Sequence, residues 1–102
     1  MTLESWLRDR TPAPPPRLAE RISEVLGDRI VRPAAEAAEL CLDAAVELLG
    51  DVHCRHGGRE SALDLLTVDA LVTYAFEASA SEPSKLQALA VNAMSRLSLV
   101  PQ

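Results

Sequence analysis

Residues 61–80 read SALDLLTVDALVTYAFEASA, and the helical wheel they draw constrains everything around them. Leu63, Leu65, Leu66, Val68, Leu71, Val72, Tyr74, Ala75 and Phe76 take up most of the circumference. A narrow polar line remains at Asp69, Thr73 and Glu77, four residues apart. A helix this apolar has to be surrounded by other helices. The segment is therefore expected to be either the central element of an all-helical domain or a surface helix sealed by a second copy of the chain. Thr67-Val68-Asp69 offers a capping site that would split it, but the apolar pattern does not reset there, so one continuous helix is predicted. Ser61 with Asp64 forms a capping arrangement at its start.

Helical signals continue on both sides. After the break at Ser81-Glu82-Pro83, Ser84 and Gln87 make a capping box, and Leu86, Leu89, Ala90, Ala93, Met94 and Leu97 form the stripe of a last helix. Upstream, Pro33 is placed to open a helix that runs to about Leu49, with Gly50 ending it and Cys41, Leu42, Ala45 and Leu48 on its apolar side. Pro16 opens another, with Leu18, Ile22, Val25 and Leu26 as its stripe and Gly27 as its C-cap; residues 28–32 then connect the two. At the N-terminus, residues 2–9 predict a short amphipathic helix with Thr2 as N-cap and Leu3, Trp6 and Leu7 on one face. The run TPAPPP at 11–16 predicts an extended polyproline spacer of about 20 Å, at roughly 3.1 Å per residue. No period-two pattern argues for a strand, and no internal repeat is seen. The predicted fold is all-α, an antiparallel bundle of four main helices over residues 17–102, with an N-terminal amphipathic arm and proline-rich spacer at 1–16.

Composition narrows the function classes. The 102 residues amount to one domain, and a chain of this length buries only about 60–70% of its unfolded surface. Trp6, Tyr74 and Phe76 are the only aromatics, so the core must be built from Leu, Val and Ala. A modest core favours a homodimer whose interface supplies the rest. The formal net charge of −5, with cations spread along the chain, argues against a nucleic-acid partner. Charges in MTLESWLRDR stand where the apolar core of a secretory signal would be, and Asp64, Asp69 and Glu77 interrupt the longest apolar stretch. The expectation is a cytoplasmic protein with no membrane partner. Cys41 and Cys54 are too few for a disulfide framework.

Chemistry-bearing residues are sparse. His53, Cys54 and His56 form the one local cluster of metal-type ligands, and Cys41 or Asp51 would complete a set for a divalent ion such as zinc. The paired CxxC or HExxH of strong zinc sites is missing, and adjacent side chains such as His53 and Cys54 point apart, so the reading without a cofactor is preferred. Catalysis through Cys54 needs a histidine aimed by a third group, for which the spacing gives no support. Glu36, Glu39, Asp43 and Glu47 form an acidic ridge without i+4 cations, read as a solvated face or a surface for an arginine-rich partner. The arm has three destinations: its own bundle, a second subunit, or a groove on another protein. Leu3, Trp6 and Leu7, with Leu71 and Val72 of the apolar helix, are the candidate interaction residues.

Two fragments resemble helices of the trans-isoprenyl diphosphate synthases. Asp28-Arg29-Ile30-Val31-Arg32-Pro33 is similar to the family's Gly-Lys-Arg-x-Arg-Pro diphosphate-binding segment. Residues 66–77, LTVDALVTYAFE, are similar to its Leu-x-x-Asp-x-Leu-Leu-x-x-Ala-Phe helix. The likeness covers under a fifth of the chain, and the DDxxD motifs on which the family's magnesium and diphosphate chemistry depends are absent. It is read as two Ala/Leu-rich helices coinciding, not as membership. The expected function is a non-catalytic oligomerising or protein-interaction module, the alternative a small-molecule- or metal-binding helical protein using the 51–58 loop.

Overall fold

The computed structural model describes residues 1–54 and 59–98, with side chains at all of these but 59 and 60. The chain is an all-α bundle. Helix α1 spans Leu3–Arg8, α2 Pro16–Leu26, α3 Ala37–Cys54, α4 Arg59–Ser79 and α5 Pro83–Leu97. Two 3-10 segments, Gly27–Val31 and Ala34–Glu36, link α2 to α3.

The principal packing is α3 against α4, and both α2 and α5 lie against that pair. Cys41, Leu42, Ala44, Ala45 and Leu48 of α3 meet Val68, Leu71, Tyr74 and Ala75 of α4 in the core. Ile22 and Leu26 of α2, Leu89 and Ala93 of α5, and Leu3 of α1 close it. Alanines 44, 45 and 75 have no exposed surface, which lets the two central helices approach closely. Asp69, Thr73 and Glu77, the polar line of the wheel, all face solvent.

Helix ends follow the punctuation in part. Pro16 occupies the first turn of α2, where its missing N–H costs nothing, and Gly27 ends that helix at φ 55°, ψ −127°, a conformation that side chains with a Cβ avoid. Pro33, however, does not open α3. It is extended at φ −59°, ψ 141° and pairs with Thr2 in an isolated antiparallel bridge, one 3-10 turn before α3 begins. Nor does Gly50 end α3, which runs on to Cys54. A single mid-helix glycine costs only about 1 kcal/mol against alanine, too little to stop a helix packed along its length.

The capping arrangements read at Ser61/Asp64 and Ser84/Gln87 are not formed. Ser61 and Asp64 lie inside α4, where Asp64 is 2% exposed and accepts from Arg21 Nε at 2.7 Å and Nη2 at 3.4 Å. Helix α5 opens on Pro83 behind Glu82, with no side-chain cap. The Thr67 hydroxyl donates to the Leu63 carbonyl at 2.8 Å, so its polarity is satisfied within the helix and α4 passes through unbroken. Met94, read into the stripe of the last helix, is 74% exposed. It follows buried Ala93 by one position, about 100° around the helix.

Candidate functional site: the arm and the outer faces of two helices

The arm folds back onto its own chain. Thr2 caps α1 by accepting from the Ser5 N–H at 3.3 Å. The Leu3 N–H donates to the Arg32 carbonyl and the Ala34 N–H to the Met1 carbonyl, both at 2.8 Å. These bonds satisfy backbone groups of the irregular α2–α3 connector that no helix could satisfy. Leu3 is 0% exposed, inside the core. Trp6 meets Tyr74 edge-on, with ring centroids 6.1 Å apart and planes at 89°, and the Arg10 guanidinium sits 4.0 Å from the Trp6 ring centroid. The spacer's length is compatible with all three destinations of the arm; free backbone groups at the connector and a core position for Leu3 select its own bundle. Leu71 is likewise 0% exposed within the chain, while Trp6, Leu7 and Val72 are half-buried.

The apolar surface left uncovered lies elsewhere. Leu65 and Leu66 on α4 are 49% and 58% exposed; Val91 and Met94 on α5 are 64% and 74% exposed. The short turn at 80–82 folds α5 back along α4. Leu66 and Met94 are nearly equidistant from that turn, within about 3 Å of the same height at 1.5 Å of rise per residue.

The acidic ridge is largely neutralised inside the chain. Glu36 accepts from Arg32 at 2.7 Å, Asp43 from Arg96 at 2.6 Å and Glu47 from Arg29 at 2.6 Å. Glu39 alone of the four has no ion pair among the described residues. Arg29 and Arg32 are the arginines of the segment similar to the diphosphate-binding one, and both are engaged by these carboxylates. Arg96 comes from α5 and ties it to α3, a role that an i+4 search along one helix cannot see.

Of the two residues read as completing the metal set, Cys41 is ruled out by distance, and Asp51 stands exposed on α3 two positions before His53. His53 and Cys54 are exposed at the end of α3, and His56 lies outside the described residues. Cys41 stands in the same helix twelve residues earlier, about 18 Å along its axis, and cannot share an ion with His53. Burial pushes the Cys41 thiol from 9.0 up to about 12, which keeps it protonated. Among the described residues no group of three or more His, Cys, Asp or Glu side chains is placed to hold a metal ion.

No family model matches the chain. No curated protein and no solved structure shows a significant match either. Among the described residues no helix is long and apolar enough to cross a membrane. Function rests on the side chains themselves, and two that matter escape a reading of the sequence. Arg21 and Asp64 pair across 43 positions, and nothing local to either marks the other. Tyr74 carried a signal, as the one hydroxyl-bearing aromatic on the apolar helix, but its surroundings come from α1, α2 and α3.

Proposed function

We propose that the protein is a non-catalytic oligomerising or protein-interaction module, and that a second copy of the chain is its first partner. The observation that carries this is the exposure of Leu65, Leu66, Val91 and Met94 on two adjacent helices. Sealing by a second copy is one of the two readings of the 61–80 wheel, and Leu65 and Leu66 are the part of it that this chain's own helices leave open. Two-fold pairing is the commonest way for a small chain to cover such a face. Cys41 and Cys54 are too far apart along α3 to pair in any compartment, so the cytoplasmic setting in this reading rests on the sequence alone.

Sedimentation velocity at micromolar concentration tests the proposal. The expected species has twice the 11.0 kDa mass of the chain. Leu66→Glu with Met94→Glu should return it to the monomer with helicity unchanged, because both positions are exposed in the isolated chain. A wild-type species of 11.0 kDa would reject self-association.

A further inference from the structure

A cleft of about 330 Å³ runs beneath the N-terminal arm. Leu7 of α1, Pro14 of the spacer, Ala19 and Ile22 of α2, and Ile30 line it. Its volume falls at the small end of the ligand-pocket range of roughly 300–1,000 Å³. Tyr74 reaches it from α4. That residue is 9% exposed as a whole; its hydroxyl keeps accessible surface and makes no hydrogen bond among the described residues. A hydroxyl open to a cleft and without a protein partner is free to donate to an acceptor placed there. Burial, and after it the nearby Glu77 charge, raises the Tyr74 pKa, so the group remains an O–H donor through the neutral range. The charged residues on the lining, Glu4 and Arg8, pair with each other and leave the cleft without net charge.

We infer that this cleft binds a compact neutral molecule, an apolar body carrying one hydrogen-bond acceptor such as a ketone, ester or amide carbonyl, with the Tyr74 hydroxyl donating to that acceptor. A charged ligand would lose hydration against Leu7, Ile22 and Ile30. Because α1 and α2 both line the cleft, an occupant contacts both and holds the arm in its docked position. Tyr74 also borders a smaller cleft of about 230 Å³ that includes Arg10, Asp69 and Thr73. The charges of Arg10 and Asp69 make it the poorer fit for an apolar body. The inference stands apart from self-association, since none of the exposed apolar residues on α4 and α5 lines the cleft.

The test is an amide NMR titration of the full chain with acetophenone, run beside benzoate and benzylamine, which keep the ring and add a negative or a positive charge. Saturable shifts are expected at Leu7, Ala19, Ile22 and Ile30, with both charged probes weaker by about tenfold or more. Tyr74→Phe keeps the ring and should weaken acetophenone by about 3–10-fold, the value of one neutral hydrogen bond. Ser23→Trp, at an exposed position on the lining, should fill the cleft and abolish the shifts while leaving the fold intact. No saturable shifts, shifts centred on Asp69 and Thr73, equal binding of a charged probe, or unchanged affinity in Tyr74→Phe would each overturn the inference.

Discussion

Replacing Leu3 with alanine removes all of its side chain beyond Cβ from a position that is 0% exposed. Transfer of the lost carbons costs about 0.8 kcal/mol for each, and the cavity left behind adds to that. Relaxation of a six-residue helix at the chain's end moderates the cavity, so about 3 kcal/mol is expected, within the roughly 2–5 kcal/mol seen for buried leucines. The arm also sets a ceiling. Once it undocks, further loss at Leu3 has no effect, so the substitution cannot cost more than deleting residues 1–10. Urea unfolding followed by circular dichroism measures both variants, with a common m-value confirming that the same unit unfolds. The difference between Leu3→Ala and wild type should not change on tenfold dilution, because every partner of Leu3 lies in its own chain. A loss under about 0.5 kcal/mol, the range of surface substitutions, would refute the core position of Leu3. A loss that changes with dilution would mean that the arm docks on a second copy instead.

Further perturbations probe other parts of the bundle. Arg21→Met should cost about 2–3 kcal/mol in the same urea assay, since it strips the guanidinium from a carboxylate only 3% exposed. Lys85→Met, whose pair with Glu82 has side chains 64% and 56% exposed, should cost under about 0.5 kcal/mol. Gly50→Ala should stabilise by about 0.5–1 kcal/mol, because an added Cβ meets no atom within 4 Å on a helical backbone. Gly27→Ala has the same free space but a φ of +55°, and should destabilise by about 1–3 kcal/mol; thermal melts of the two variants are expected to move in opposite directions. The Cys41 thiol has its pKa raised in the folded state from 9.0 to about 12, so its contribution is intact below about pH 9 and is lost as the pH climbs toward 12. Stability should fall across that window by up to about 1.4 kcal/mol per pH unit, and Cys41→Ala should flatten the decline. At pH 8 a maleimide should label exposed Cys54 and leave Cys41 untouched until denaturant is added.

The helices themselves were legible in the sequence because helix formation is a local matter. Apolar side chains three and four apart, Pro16 in a first turn, Gly27 past a last one and Thr2 as a cap act through neighbours within a few positions. The same locality explains the misplaced ends. Pro33, Gly50 and the Ser84/Gln87 box carry punctuation that packing overrode, at costs near 1 kcal/mol that a helix–helix contact exceeds. The wheel of residues 61–80 revealed a helix apolar nearly all round, and its polar line at Asp69, Thr73 and Glu77 marks the arc turned to solvent. Leu71 lies opposite that line and Leu66 on it, three positions before Asp69 and seven before Thr73. One is 0% exposed and the other 58%, because α2, α3 and α5 occupy only part of the circumference. The Arg21–Asp64 and Arg96–Asp43 pairs, the docking of Leu3 and the cleft beside Tyr74 were decided only by tertiary structure. Each joins residues far apart in the chain, and the energy of such a contact exists only once other segments have brought them together.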